Sequence, residues 1–173
     1  EIGAVARRIL DNAPPRFALA GLSFGGYIAF AMLRLAADRI AKLALLDTSA
    51  RPDTAEQIAV RKTQIAMAQG GRFGELVDLS IPRYLHARHQ ADARLIGVVR
   101  TMTDETGPDA FVRQLNAIMT RPDSRPLLGQ IRCPTLVIVG DSDVATPPAL
   151  NKEIADGIPG AKYGIPFPVL IRA

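Results

Sequence analysis

A serine flanked by glycines offers a nucleophile for covalent catalysis. The segment reads Gly21-Leu22-Ser23-Phe24-Gly25 and is followed by Gly26. Glycines two before and two after a serine remove Cβ atoms that would collide in a tight turn from a strand into a helix. In such a turn the hydroxyl of Ser23 projects from the carboxyl edge of a sheet, and the N–H of Phe24 points at an oxyanion formed beside it. The spacing predicts a nucleophile elbow for acyl transfer; the alternative is a glycine-rich turn with an incidental serine.

Carboxylates that follow apolar segments are candidates for the acid partner of such a serine. Asp143 ends the segment Val139-Gly140-Asp141-Ser142-Asp143, where a carboxylate can orient and stabilise an imidazolium. Asp141 in the same loop and Asp47, after the second apolar segment, are competing candidates. Asp143 and Asp141 could instead only cap their loop. We predict Asp143 as the acid.

The remaining residues with reactive side chains show no pattern of their own. The two histidines, His86 and His89, lie in a helical part of the chain, and we predict surface or packing roles for them rather than catalysis. The one cysteine, Cys133, cannot form an intrachain disulfide, so a reducing cytoplasm is the natural setting. Because it precedes Pro134 and an apolar run, we expect it to fill core space. No metal-ligand spacing is present, and we predict no metal and no organic cofactor.

Three short apolar segments predict the strands that must position the serine and the carboxylates. They cover residues 16–20, 40–46 and 134–140 and are bounded by polar residues, glycine or proline, as expected for parallel strands covered on both faces. Residues 24–37 are nearly all apolar and predict a buried helix between the first two strands. A strand, a helix and a strand in this order form a βαβ unit, which implies a parallel sheet. Residues 2–10 predict the end of a preceding helix.

The middle of the chain, residues 52–126, changes character and predicts an all-helical insertion. Asp53 followed by Glu56 predicts a capping box that opens a helix running to residues 70–71. Pro108 predicts the first position of another helix. An insertion of roughly 75 residues is far too long for an ordinary connection between strands. We therefore predict a cap over a site; the alternative is a decorative helical subdomain.

The predicted organisation has a core in two parts with the cap between them. Residues 1–51 form the first part of the core and carry the elbow, residues 52–126 form the helical cap, and residues 127–173 form the second part with the acid loop. The N-terminus has no initiator methionine and no secretory pattern, and it looks like a chain that begins mid-sequence.

Composition excludes several classes of function. Of the 173 residues, 48% are hydrophobic and 22% are charged, which is the balance of a globular domain rather than of a disordered chain. The net charge of +4 comes from basic residues interspersed with acidic ones, and the chain has no tryptophan and 5% aromatic residues. We therefore predict no nucleic-acid partner. No apolar stretch approaches the ~18 residues that a membrane span needs.

Together these segments resemble the α/β-hydrolase superfamily. The closer resemblance is to its small single-domain esterase and lactonase branch, which includes 3-oxoadipate enol-lactonase-like proteins. It rests on residues 17–27, 43–50, 133–143 and 158–161, in an order that spans nearly the whole chain. The resemblance implies an α/β fold with a parallel sheet, flanking helices and a helical cap. It also implies Ser23 as nucleophile, Asp143 as acid, the Phe24 N–H as an oxyanion donor, and a small carboxylic ester or lactone as substrate.

The chain also departs from this family at both ends. The family places its catalytic histidine after the last strand, in a Gly-His pair, whereas this chain has no histidine beyond Asp143. Residues 164–173 stand where the family has its strand, and their two prolines oppose a central strand. We expect a truncated or frame-shifted C-terminus and missing N-terminal strands. The expected function is an impaired serine hydrolase; the alternative is a non-catalytic pseudo-hydrolase that binds a ligand or a partner.

Overall fold

The computed structural model describes residues 1–165, which alternate between helices and strands. Two short 3-10 turns, Ala37–Arg39 and Ala87–His89, supplement the main elements. In chain order these are α1 (Ile2–Asn12), β1 (Phe17–Leu22), α2 (Phe24–Ala36), β2 (Ile40–Leu46), α3 (Ala55–Gln69), α4 (Phe73–Tyr84), α5 (Ala93–Met119), α6 (Arg125–Leu128), β3 (Thr135–Ile138), α7 (Pro148–Gly157) and β4 (Lys162–Gly164).

The four described strands form one parallel sheet in the order β1-β2-β3-β4. Leu22 is aligned with Leu46, and Leu46 is aligned with Ile138. The carboxyl ends of β1, β2 and β3 therefore meet at one edge of the sheet, where the residues that follow each strand become neighbours. The parallel sheet with flanking helices that the sequence predicts is confirmed.

The boundaries of β1 and β3 differ from the prediction, and a fourth strand forms that was not predicted. β1 continues through Leu22, so it ends at the residue before Ser23. β3 covers Thr135–Ile138, whereas residues 134–140 were predicted. The fourth strand, β4, pairs with β3 through Tyr163, aligned with Val137, and only its last residue lies within residues 164–173. The prediction that Pro166 and Pro168 oppose a strand lies outside the described residues.

The two faces of the sheet are covered unequally, so the prediction that the strands are covered on both faces is wrong. Aligned residues of parallel strands share a face. One face carries Leu45 and Val137, which are buried in one core with residues of α1, α2 and α7. The opposite face, which we call the open face, has exposed side chains because no described helix packs on it to the same extent. Its exposed members are Ala18, Ala20, Leu22, Lys42 and Leu136.

The helical insertion contains α3, α4 and α5, and its helices begin for reasons that differ in part from the prediction. The cap of α3 is Thr54 rather than Asp53: the Gln57 N–H donates to Thr54 Oγ1 (3.3 Å), and the Thr54 N–H donates to Gln57 Oε1 (2.9 Å). Gly107, with φ 70°, interrupts α5, so Pro108 opens its second arm as predicted. The domain boundaries at residues 51 and 126 stay a prediction.

Asp53 instead forms a buried ionic cluster with Arg61 and Arg121, which we call the clasp. Its carboxylate accepts from Arg61 Nε at 2.6 Å and from Arg121 Nη1 at 2.8 Å. The Asp53 side chain is 0% exposed and that of Arg121 is 7% exposed. Arg121 also lies over the ring of Tyr27 on α2, 4.2 Å from its centroid, so the clasp joins both ends of the insertion to the core.

Within residues 1–165, no helix combines the length and the apolar character needed to cross a bilayer.

Candidate active site

Ser23 occupies a strained turn between β1 and α2. Its φ of 50° and ψ of −112° place a residue with a Cβ where such residues are uncommon. Three hydrogen bonds hold it there: its N–H donates to the Leu46 carbonyl (2.9 Å), and its carbonyl accepts from the Gly26 N–H (2.9 Å) and from Thr48 Oγ1 (2.9 Å). The Ser23 residue is exposed, and its side chain makes no capping bond to α2. The hydroxyl is therefore not engaged by the helix that it precedes.

The glycines around Ser23 are required at positions that differ in part from the prediction. A Cβ on Gly21 would lie 2.5 Å from the Gly25 carbonyl oxygen, closer than real Cβ contacts come. Gly25, predicted to be crowded, would meet nothing within 4 Å. Gly26 is the second crowded position, because its Cβ would lie 2.3 Å from Thr48 Oγ1. The tight approach therefore involves the first turn of α2 and the residues after β2.

The oxyanion donor predicted from the sequence lies at the first position of α2. Phe24 follows Ser23 directly and begins the helix. The first N–H groups of a helix have no acceptor within the helix, and its dipole favours negative charge at that end. The Phe24 N–H is thus a donor without an acceptor inside α2, and its role as the oxyanion donor stays a prediction.

Asp143 is a buried carboxylate in the loop after β3, residues 140–146, which we call the acid loop. Its Oδ1 accepts from the N–H groups of Ala145 (2.7 Å) and Thr146 (2.9 Å), and its Oδ2 accepts from Thr146 Oγ1 (2.7 Å). Asp141, its competitor in the loop, is exposed, and its Oδ1 accepts from Ser142 Oγ (2.9 Å). The acid loop therefore fixes the orientation of Asp143 and leaves Asp141 toward solvent.

Asp47, the third candidate carboxylate, stands between Ser23 and the acid loop. Its φ is 44°, and among residues 1–165 only Ser23 shares a positive φ without being glycine. The Asp47 N–H donates to the Ile138 carbonyl (3.0 Å), and its Oδ1 accepts from the Gly140 N–H (2.9 Å). Burial raises the pKa of the Asp47 carboxyl, and the neighbouring Asp143 carboxyl, within hydrogen-bonding reach, raises that pKa further.

A buried hydrogen-bond chain that was not predicted from the sequence links the elbow to the acid loop. Thr48, which binds the Ser23 carbonyl, donates its own N–H to Asn151 Oδ1 (3.1 Å). Asn151 Nδ2 donates to the Thr146 carbonyl (2.9 Å), and Thr146 in turn binds Asp143. Asn151 is fully buried on α7, three residues before the buried Ile154. A polar residue at core-facing helical spacing was the signal that could have found it.

The histidines lie together at the turn between α4 and α5 and bind locally. His86 Nδ1 accepts from the Arg88 N–H (3.2 Å), and His89 Nε2 accepts from Arg88 Nε (2.9 Å). Their ring centroids are 6.4 Å apart. These contacts hold both histidines within the insertion. They give no reason to assign either histidine as the catalytic base. In the described part of the chain, no group of three or more His, Cys, Asp or Glu side chains is arranged to hold a metal ion.

Known proteins that resemble this chain carry the same fold. No family model matches the sequence. A candidate non-heme bromoperoxidase of Mycobacterium tuberculosis is 28% identical over 170 residues, which cover 89% of this chain and 60% of that protein. The chain thus spans about three fifths of the length of the curated relatives that it matches.

Two solved structures give the comparison in three dimensions. An esterase from Thermogutta terrifontis is 33% identical with a TM-score of 0.83, covering 88% of this chain and 57% of that one. An enol-lactonase from Burkholderia xenovorans is 31% identical with a TM-score of 0.78, over the same shares of the two chains. With its parallel sheet and its strained serine between a strand and a helix, this chain has the fold of these hydrolases and resembles the α/β-hydrolase superfamily.

Proposed function

We propose that the chain is part of a serine hydrolase that cleaves a carboxylic ester or a lactone through an acyl-enzyme. The observation that carries the proposal is the conformation of Ser23, whose strained backbone is held by three hydrogen bonds while the residue stays exposed. Backbone strain that the surrounding structure maintains is typical of functional sites. The similar esterase and enol-lactonase support the choice of substrate class.

In the proposed reaction, Ser23 Oγ attacks the substrate carbonyl carbon and its proton passes to a histidine base. The bond between Oγ and the carbonyl carbon forms, and the carbonyl oxygen becomes an oxyanion that accepts from the Phe24 N–H. The oxyanion then collapses, the bond to the leaving oxygen breaks, and that oxygen takes the proton from the histidine. Water repeats the sequence on the acyl-enzyme and releases the acid. Asp143 orients the histidine and stabilises its charged form.

The base is the part of this mechanism that no residue of the chain is proposed to supply. His86 and His89 bind Arg88 in the insertion, and we assign neither to the role. A serine hydroxyl without a base is almost wholly protonated at pH 7. Loss of the histidine of such a triad lowers turnover by on the order of 10⁶. We therefore propose that the chain as given hydrolyses activated esters at little above background.

Fluorophosphonate labelling with and without added imidazole tests the proposed nucleophile. Imidazole can take the serine proton in place of the missing side chain, so labelling of Ser23 is expected to accelerate with imidazole concentration. Peptide mass mapping identifies the labelled residue. Ser49→Ala is the matched control, because Ser49 follows the same edge of the sheet but is buried; it should leave labelling unchanged, whereas Ser23→Ala should abolish it.

Two outcomes would contradict the proposal. Label on Ser49 or Ser142 that persists in Ser23→Ala would place the nucleophile elsewhere. If imidazole leaves Ser23 no more reactive than Ser49, the chain is not a hydrolase lacking only its base. The non-catalytic alternative, a pseudo-hydrolase that binds a ligand or a partner, would then be the better interpretation.

A further inference from the structure

We propose that Asp47 is a positioning residue, whose carboxyl group holds a proton and donates it in a hydrogen bond to the Asp143 carboxylate. The proposal rests on the proposed function only in taking Asp143 as the acid. It concerns how the end of β2 fixes the acid loop, and it gives Asp47 a role different from that of a competing acid.

The first observation is the backbone of Asp47. Its φ of 44° is one of the two positive values at non-glycine residues among residues 1–165, and the other is at Ser23. The two residues follow aligned positions of β1 and β2, Leu22 and Leu46. Asp tolerates this region better than most residues but still adopts it infrequently. The conformation turns the side chain from β2 toward the loop after β3, where it reaches the Gly140 N–H.

The second observation is the hydrogen bonding of the two carboxyl groups. Asp143 accepts three bonds from Ala145 and Thr146, and a carboxylate offers about four acceptor positions. One position is left for a further donor. Asp47 Oδ1 already accepts from Gly140, so its other oxygen is the one available to carry a proton toward Asp143. A carboxyl–carboxylate bond satisfies both groups, whereas two neighbouring carboxylates repel each other.

The charges around the pair agree with this arrangement. Asp143 is the charged group that acts on Asp47, and both burial and Asp143 raise the pKa of the Asp47 carboxyl. The charge of Asp143 also acts on Tyr27 of α2, and burial is the main cause that raises the pKa of the Tyr27 phenol. The clasp arginines act on Tyr27 in the opposite direction. Burial and Asp143 therefore both favour the protonated form of the Asp47 carboxyl, which is the form that the proposal requires.

The proton has a consequence for stability that depends on pH. A carboxyl whose pKa is higher in the folded chain than in the unfolded chain contributes stability that is fully present below the unfolded pKa, about 3.9 for aspartate. That contribution is lost as pH rises through the folded pKa of Asp47. An asparagine at position 47 keeps a donor toward Asp143 and an acceptor toward Gly140 at every pH, so it retains the contribution.

Urea unfolding of the whole chain from pH 4 to pH 8, followed by circular dichroism at low protein concentration, tests the proposal. The urea midpoint of Asp47→Asn is expected to exceed that of the wild type increasingly as pH rises, with little difference at pH 4. Asp47→Ala, which loses both hydrogen bonds, should lower the midpoint at pH 4. When Asp47→Asn is added to the Asp143→Asn variant, the urea midpoint should no longer rise relative to Asp143→Asn alone as pH increases.

Asp141→Asn is the matched control, because it removes an exposed carboxylate from the same loop and should show no such pH trend. A gain at Asp47→Asn that is equal at pH 4 and pH 8, or equal for Asn and Ala, would overturn the proposal. If Asp143→Asn fails to fold, the comparison of Asn and Ala at position 47 still decides. None of these results depends on labelling of Ser23, so a failed hydrolase assignment would be seen separately.

Discussion

Around Ser23, steric constraints on individual glycines decide whether the elbow can form. The Gly21 position is closed by the backbone of α2, which cannot rotate away as a side chain could. Gly25 supplies part of that backbone, yet its own Cβ would stand in open space. The motif therefore combines one glycine that the geometry requires with one that it tolerates.

The variant Gly21→Ala is expected to lower the free energy of unfolding by about 3 kcal/mol, since overpacking against backbone forces a main-chain shift. Gly25→Ala places the same methyl group in open space within α2 and is expected to raise stability by up to about 1 kcal/mol. Urea unfolding of the two variants beside the wild type measures both effects. Equal effects at the two positions would mean that the close approach at Gly21 is not rigid.

Most of the elbow could be predicted from the sequence because its constraints are local. Gly21, Ser23 and Phe24 lie within four consecutive positions, between an apolar strand pattern and an apolar helix pattern. The crowding at Gly26 could not be predicted, because it is caused by Thr48, which is distant in sequence and brought near only by the pairing of β1 with β2. The spacing of Asn151 from Ile154 could indicate that it is buried, but its hydrogen bonds could not be predicted, because Thr48 and Thr146 lie in other elements.

At the scale of elements, the clasp connects the beginning and the end of the helical insertion. Asp53 precedes α3 and Arg121 follows α5, and Arg121 Nε also donates to the Arg51 carbonyl (3.0 Å). The Ser124 N–H donates to the Ala50 carbonyl (2.7 Å), which adds a backbone link between the same two segments. The sequence suggested a capping role for Asp53, since a local motif is visible in one segment while an ion pair across the insertion is not.

Asp53→Asn leaves two arginines without their carboxylate and is expected to lower the free energy of unfolding by about 3 kcal/mol, as removal of one partner of a buried pair does. Hydrogen exchange should show the largest loss of protection in α3 and α5. The control is Glu75→Gln in an exposed ion pair. The Arg72 side chain of that pair is 58% exposed and the Glu75 side chain is 56% exposed. Glu75→Gln should leave the free energy of unfolding close to that of the wild type, because water screens an exposed ion pair. Similar effects of both substitutions would show that the clasp does not stabilise the contact between the two ends of the insertion.

At the scale of the whole molecule, the open face of the sheet determines how the chain behaves in solution. Apolar side chains from β1 and β3 are exposed there, and the outer edge of β1 has no partner strand among residues 1–165. Exposed apolar faces and unpaired edges favour association between copies. The apolar alternation of the strands predicted the sheet, but it could not show which face would lack a covering layer, because that depends on helices elsewhere in the chain.

We expect the 173-residue chain to self-associate when expressed alone and Leu136→Lys to reduce that association. Leu136 is 39% exposed on the open face. Leu79, on α4 of the insertion, is 64% exposed, so Leu79→Lys makes the same chemical change on a more exposed leucine away from the sheet. Sedimentation velocity at several concentrations measures the effect. A monodisperse monomer for the unmodified chain, or equal relief by Leu79→Lys, would contradict this role of the open face.

The contact between Gly26 and Thr48 restricts the order in which this site can change during evolution or design. A Cβ at position 26 would lie 2.7 Å from the Cβ of Thr48 as well as 2.3 Å from its hydroxyl oxygen, so even alanine at position 48 would be too close. The space between the helix and the strand end admits one β-carbon, supplied by either partner. A library that varies position 26 alone will therefore return only glycine, and a lineage can introduce a larger residue there only after position 48 has first become glycine.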